Sequence, residues 1–161
     1  MGACTSKSND KLINHNGKLD ELTYVNTPDI TYNFTEAKVL KVYDGDTITI
    51  GAFYDNGFKK FNVRLYGIDC DELKGGDEIT KANALRAKRY TEKHVFNKIV
   101  KIDVLNNKII DGKKHREKFG RLLARITTPE GYDLSNELFL AGLARKYYGG
   151  KKDNLDSIQN E

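Results

Sequence analysis

The sequence predicts an α+β domain in which five short strands close into a small barrel, with two or three helices packed against it. Three observations support this prediction. Five runs of residues alternate apolar and polar side chains, two further runs have helical spacing, and residues 55–57 (DNG) are typical of a hairpin turn. The 161 residues suffice for one domain whose hydrophobic core needs no disulfide.

The first half of the chain predicts three strands and an acidic turn. Residues 36–42 and 47–50 have strand patterns, and residues 44–46 (DGD) interrupt them. A third strand, residues 61–65, places its apolar side chains on one face and Arg64 on the other. We therefore expect Arg64 to lie outside the main core.

The hairpin turn predicts which acidic residues meet. If the turn centres on Asn56 and Gly57, strand pairing places Asp46 opposite about Gly67. Asp46 and Asp69 then lie close together at one end of the hairpin. Two neighbouring carboxylates at a strand end indicate a cation site.

The second half predicts two helices and two more strands. Residues 80–97 and 133–141 favour helix, residues 100–104 and 121–126 favour strand, and residues 106–118 form a polar, basic loop. The buried face of the first helix is predicted to contain Ala84, Ala87, Thr91 and Val95. These elements suit a five-stranded barrel of the OB type, a fold whose surface commonly binds nucleic acid.

The net charge of +4 hides an uneven distribution along the chain. Residues 81–125 contain 14 Lys and Arg against 4 Asp and Glu, whereas residues 1–80 contain 9 against 13. A basic segment after a carboxylate-rich one is typical of a phosphate-binding surface beside a metal site. The alternative is that the basic residues only form the solvated face of one helix. Those residues are Lys81, Lys88, Arg89, Lys93 and Lys98.

Five side chains have the chemistry that phosphodiester hydrolysis needs. Asp46, Asp69 and Glu72 offer hard oxygen ligands, which calcium and magnesium prefer. Arg64 and Arg121 can each contact two phosphate oxygens through a planar guanidinium. Taken singly, each residue also has a structural explanation, as a turn former or a member of a surface ion pair. Their convergence on one region favours a functional site.

Four blocks of sequence resemble the thermonuclease (staphylococcal nuclease-like) family. The blocks are residues 42–47 (VYDGDT), 63–72 (VRLYGIDCDE), 118–124 (KFGRLLA) and 136–144 (NELFLAGLA). The resemblance extends from about residue 36 to residue 148, in the order and spacing of the family. It implies a staphylococcal nuclease-like OB-fold barrel with helices and calcium-dependent cleavage of DNA and RNA.

The resemblance also implies a role for each matching residue. Asp46 and Asp69 occupy the positions of the calcium-binding carboxylates, and Cys70 the position where a backbone carbonyl completes the coordination. Glu72 matches the glutamate that activates or positions the attacking water.

The substrate contacts implied by the family are basic and aromatic. Arg64 and Arg121 match its two phosphate-binding arginines, and Lys118 a phosphate-contacting lysine. Either Tyr147 or Tyr148 matches a tyrosine that packs against the nucleotide; we assign Tyr148.

Two departures from the family pattern lie in this region. Residues 70–72 read Cys-Asp-Glu where relatives usually have Thr-Pro-Glu or Ala-Pro-Glu, so the loop loses a proline and gains Asp71 beside the metal position. Phe119 replaces a tyrosine and removes a hydroxyl donor from the phosphate site. We still expect cleavage. The rival hypothesis is a catalytically silent module that binds nucleic acid or protein, or a lipidated adaptor with vestigial activity.

The N-terminus predicts a lipid anchor. Residues 1–6 (MGACTS) match the N-myristoylation pattern at Gly2, and Cys4 is then a candidate for palmitoylation; the alternative is a chance match. No apolar run reaches the ~20 residues that cross a bilayer, and no secretory signal is apparent. We expect an acylated tether (residues 1–34), the nuclease-like domain (35–150) and a polar tail (151–161), held at the cytosolic face of a membrane.

Overall fold

The computed structural model describes residues 22–25, 27, 29–106, 109–110, 113–114 and 120–148. Its backbone divides into two units, Met1–Ile30 and Thr31–Glu161. In the first unit, the amide of Thr27 donates to the carbonyl of Thr23. The acylation sites Gly2 and Cys4, the phosphate-site residues Lys118 and Phe119, and the polar tail lie outside the described residues.

The second unit contains the predicted five-stranded barrel. Its strands are β1 (Glu36–Val42), β2 (Thr47–Tyr54), β3 (Gly57–Leu65), β5 (Ile99–Val104) and β8 (Leu122–Thr127). They close in the order β1-β2-β3-β8-β5, and only the β3–β8 pair is parallel. Every strand contributes buried residues at alternating positions over at least part of its length, so the barrel interior is filled with Val, Ile, Leu and Ala side chains. The predicted fold class is confirmed.

Two helices of the described chain pack against the barrel. Helix α1 (Glu78–Val95) begins after Asp77, whose carboxylate accepts a hydrogen bond from the amide of Thr80 at 2.8 Å. Its buried residues are Ala84, Ala87, Thr91 and Val95, as the sequence predicts. Helix α2 (Leu134–Leu140) begins after Asp133, which caps it in the same way.

The hairpin turn lies one residue earlier than predicted. Asp55 and Asn56 are the two turn residues, with φ of 48° and 61°, and Gly57 already pairs with Tyr54 in the strands. The reason is that Asp and Asn also tolerate positive φ, so the turn does not require the glycine. The carbonyl of Asp46 consequently accepts a hydrogen bond from the amide of Leu65, two positions before the predicted partner.

Two pairs of short strands were not predicted from the sequence. The predicted loop 106–118 contains strands β6 (Ile109–Ile110) and β7 (Lys113–Lys114), which pair with each other. Strand β4 (Gly67–Asp69) pairs with β9 (Arg145–Tyr147) beside the barrel. Segments of two or three residues are too short to show an alternating pattern.

Candidate active site

The acidic turn between β1 and β2 is held by close packing on helix α1. A Cβ atom at Gly45 would lie 2.7 Å from both the Cβ of Ala87 and the Sγ of Cys70, so only glycine fits. The hydroxyl of Thr91, one helical turn after Ala87, donates to the carbonyl of Gly45 at 2.7 Å. This packing fixes the position of Asp44 and Asp46 on either side of Gly45.

Arg64 joins the two predicted metal-binding carboxylates. Its Nη1 lies 3.1 Å from Oδ1 of Asp46, and its Nη2 lies 2.8 Å from Oδ1 of Asp69. The side chains of the three residues are only 12%, 4% and 6% exposed. The structure therefore brings these three site residues together, and Arg64 lies outside the barrel core as expected.

Cys70 contributes to the site through its main chain. Its amide donates to Oδ2 of Asp46 at 2.9 Å. Burial, and then the negative charge of Asp46, raise the pKa of the thiol far above its ordinary value. The main-chain carbonyl of Cys70 is the oxygen atom that this residue can offer to a hard cation.

Asp44 is a buried carboxyl group with a raised pKa. Burial, the carboxylate of Asp46 and, more weakly, Glu72 raise the pKa of Asp44 from 3.8 to about 6. Glu72 itself is exposed, in the segment that follows Asp69. The negative charge of Glu72 thus contributes to the raised pKa of Asp44, while the Glu72 side chain itself is exposed.

The raised pKa of Asp44 predicts that the free energy of unfolding depends on pH. The folded state binds the Asp44 proton more tightly than the unfolded state, so the penalty for burying the carboxylate is absent below about pH 4 and develops as pH rises through about 6. In chelator, Asp44→Asn should raise the free energy of unfolding by about 1–3 kcal/mol at pH 7.5 and leave it unchanged at pH 3.5. Urea denaturation at both pH values measures this, and Asp103→Asn is the exposed control. An equal effect at the two pH values would contradict the expectation.

Arg121 directly precedes the strand next to Arg64. That strand is β8, in which Leu123 is the parallel partner of Arg64. Arg121, two residues before Leu123, therefore lies at the start of the strand that pairs with β3. Asn106, which sequence reasoning missed, fixes this strand start: its Oδ1 accepts from the amide of Leu123 at 2.6 Å.

Arg145 is a second residue that the sequence did not reveal. Its Nη2 lies 2.8 Å from Oδ1 of Asp71 and 3.8 Å from Oδ2 of Asp69. The β4–β9 pairing places Arg145 directly opposite Asp69. The extra carboxylate of Asp71 is therefore neutralised by a side chain 74 residues away, which no local sequence signal predicts.

A cavity of about 400 Å³ lies next to the β4–β9 pair and has the size of a small-ligand site. Tyr148, 62% exposed, lines it with its ring 5.7 Å from that of Tyr66. The ring of Tyr148 also passes 3.4 Å from the Cβ position of Gly67, which has a φ of 85°. Arg125 and Lys146 contribute positive charge to the same cavity.

Several basic residues around helix α1 have acidic neighbours. Lys81 pairs with Glu78, Lys88 lies near Glu92, and Lys98 pairs with Glu130, at 3.0, 3.9 and 3.3 Å. Three of the five predicted basic residues therefore fit the alternative of a solvated helix surface.

A comparison with known protein families shows to which family the chain belongs. The profile of the family described as "Staphylococcal nuclease homologue" matches residues 62–161. The chain belongs to the staphylococcal nuclease homologue family. It is also similar to an uncharacterized protein, MJ1439, of Methanocaldococcus jannaschii: the two are 32% identical in an alignment 152 positions long, gaps included, and the match covers 81% of this chain and 69% of that protein. Membership supports a nuclease-type hydrolase or a nucleic-acid-binding module.

The donor atoms of this nuclease-family site suit a hard cation. Asp46, Asp69 and the Cys70 carbonyl offer only oxygen atoms, which are the ligands that calcium and magnesium prefer. Within the described ranges, no three or more His, Cys, Asp or Glu side chains are grouped closely enough to hold a metal. The site described above has only two carboxylate side chains and one main-chain carbonyl, so it is consistent with that finding.

No helix in the described part of the chain is long and apolar enough to cross a membrane.

Proposed function

We propose that this protein is a calcium-dependent endonuclease that hydrolyses phosphodiester bonds in DNA and RNA with little sequence specificity. The observation that carries the proposal is the largely buried Arg64 guanidinium joining Asp46 and Asp69, with Glu72 exposed in the segment that follows Asp69. Arg64 is a positive group for phosphate, and Asp46 and Asp69 are a pair of carboxylates for a cation at the same end of the hairpin. Glu72, which follows them in the sequence, is an accessible carboxylate for water.

The cation would be held by Asp46, Asp69 and the carbonyl of Cys70. The chemistry that calcium supplies at such a site is neutralisation of phosphate charge and orientation of water. Arg64 holds both carboxylates in place and can turn part of its guanidinium toward a phosphate oxygen.

The protein side chains then have distinct roles in the reaction. Glu72 accepts a proton from the attacking water, whose oxygen forms a bond to phosphorus. The phosphorus–oxygen bond to the leaving alcohol breaks, and solvent returns a proton to that oxygen. Arg64 and Arg121 stabilise the additional negative charge that develops on the phosphate oxygens.

The nucleic acid would extend from this site over the cavity beside Tyr148. The exposed Tyr148 ring offers a stacking surface for a base, while Arg125 and Lys146 attract the phosphates. Lys118, which matches a phosphate-contacting lysine of the family, would add a further positive charge. Such contacts read no base edges. Binding should therefore be largely independent of sequence and weaken as salt concentration rises.

A cleavage assay tests the proposed activity. The purified chain is incubated with single-stranded DNA, double-stranded DNA and RNA, with calcium, with magnesium or with chelator. We expect cleavage with calcium and its loss on chelation, because removal of the ion leaves phosphate charge unneutralised. A folded chain that binds nucleic acid but cleaves none of the substrates would instead identify the silent binding module.

The proposal extends to the location of the protein. A myristoyl group on Gly2 gives only marginal membrane binding, and palmitoylation of Cys4 would make the anchoring at the cytosolic face stable. In a eukaryotic cell, Gly2→Ala should move the protein from the membrane fraction to the supernatant. Fractionation measures this, with Ala3→Gly as the control. Unchanged membrane association of Gly2→Ala would refute the acyl anchor.

A further inference from the structure

An apolar patch covers part of the outer face of the barrel, away from the carboxylates. Its members are Leu40, Phe53, Phe58 and Ile99, which are 41%, 59%, 86% and 66% exposed. Phe53 and Phe58 lie directly opposite each other on β2 and β3, with ring centroids 5.5 Å apart. All four side chains line one groove. Adjacent exposed apolar side chains of this size usually mark an interaction surface.

Lysines lie on both sides of this patch. Lys38 on β1 and Lys60 on β3 are both paired with Gly51 on the strand between them. Because Gly51 has no side chain, Leu40 lies over it, with Cδ1 3.2 Å from the Cβ position. The result is an apolar surface between two exposed ammonium groups, a combination that suits an apolar partner with negative charge at its surface.

The patch and the carboxylate site lie at opposite ends of the β2–β3 hairpin. Arg64 pairs with Thr47 at one end, and Phe53 pairs with Phe58 six residues further along. At about 3.3 Å per residue, the two features are separated by about 20 Å. A partner on the patch would therefore leave the site accessible to nucleic acid.

The N-terminal side of the chain reaches the domain beside the same patch. Residues 33–36, which lead into and begin β1, line the groove together with the two phenylalanines. The predicted acylation sites precede this entry point in the sequence. An anchor at Gly2 and a surface contact at Phe58 are thus compatible with one membrane.

We propose that the patch binds the surface of a membrane that contains anionic lipids. The two phenylalanine rings enter the boundary between headgroups and acyl chains, and Lys38 and Lys60 contact negatively charged headgroups. The contact supplements the proposed acyl anchor and leaves the nuclease site at the other end of the hairpin. The membrane contact at the patch does not require an acyl chain. Only its cooperation with the lipid anchor rests on the proposed location of the protein.

A fluorescence experiment tests whether Phe58 enters the bilayer. The chain contains no tryptophan, so Phe58→Trp gives the unacylated full chain a single reporter. With vesicles of phosphatidylcholine and phosphatidylserine, we expect a blue shift and quenching by brominated lipid. Tyr43→Trp, at the carboxylate end of the hairpin, is the matched control and should show neither. Emission that is unchanged at position 58, or that shifts equally at both positions, would overturn the proposal.

Sedimentation with the same vesicles tests the chemistry of the contact. Phe53→Ser with Phe58→Ser should lower the partition coefficient of the unacylated chain at least about 10-fold. Lys38→Glu with Lys60→Glu should remove the preference for phosphatidylserine over phosphatidylcholine alone. Leu140→Ser and Lys93→Glu, which change exposed residues elsewhere, should leave binding unchanged.

Three outcomes would overturn the membrane contact. They are no binding of the unacylated chain to anionic vesicles, equal binding by the Phe53→Ser/Phe58→Ser variant, and dissociation of a wild-type oligomer by that variant, which would indicate self-association. Loss of the acyl anchor alone, or absence of nuclease activity, would affect only the proposed function. All variants retain the carboxylate site, and circular dichroism and urea denaturation serve as folding controls.

Discussion

Glu72→Gln is expected to lower the rate of phosphodiester cleavage by about 10²–10⁴-fold, the range for loss of a general base. The substitution keeps the size of the side chain and removes its ability to accept a proton. Because Glu72 is exposed and makes no packing contribution to the barrel core, the free energy of unfolding should change little. Single-turnover cleavage at saturating calcium measures the effect.

The accompanying calcium titration separates catalysis from metal binding. Asp46, Asp69 and the Cys70 carbonyl remain in Glu72→Gln, so its calcium affinity should stay close to that of the unmodified chain. Glu78→Gln, at the exposed start of helix α1, is the matched control and should be fully active. Parallel losses of calcium affinity and rate in Glu72→Gln would assign Glu72 to the metal site instead of the water.

Arg64→Met is expected to lower the free energy of unfolding by about 3–5 kcal/mol, because it removes the close cation from the buried carboxylates of Asp46 and Asp69 and leaves Asp69 with the longer contact to Arg145 at 3.8 Å. It should also remove most cleavage activity, since the same guanidinium is proposed to stabilise the phosphate. Urea denaturation in chelator measures the stability. Arg125→Met, which breaks an exposed pair with Asp103 at 4.0 Å, should cost less than about 1 kcal/mol.

A combined variant tests whether unpaired charge causes this loss of stability. Asp46→Asn and Asp69→Asn remove the negative charges that lose their ion pair with Arg64 in the Arg64→Met variant and remain buried in surroundings of low polarity. The three substitutions together should therefore yield a more stable protein than Arg64→Met alone. If the combined variant is no more stable, the loss comes from packing, and the electrostatic account of the site is wrong.

Much of the site could be predicted because its residues belong to strongly patterned strands. The alternation in β3 places Arg64 on the outer face, and the hairpin signal brings the ends of β2 and β3 together. The proximity of Asp46 and Asp69 followed from that pairing even though the turn was placed one residue late, whereas the ion pairs that join both of them to Arg64 were not predicted. The shift left both carboxylates at the same end of the hairpin.

Other parts of the site depend on residues far apart in sequence. Arg145 meets Asp69 and Asp71 only because β9 pairs with β4, two strands of three residues each. Asn106 supports the start of β8 only after β5 and β8 have paired in the barrel. Single polar residues in short or irregular segments have no periodic signal, so their partners could not be predicted.

Sequence alone determined the five barrel strands, the buried face of helix α1 and the carboxylate–arginine set, because each depends on local periodicity, turn conformation or a contiguous motif. Tertiary structure decided the pairing of Arg145, the role of Gly45 beneath helix α1 and the exposure of Phe53 and Phe58. Barrel closure sets these features, since it determines which distant backbones approach each other and which side chains remain on the outer face.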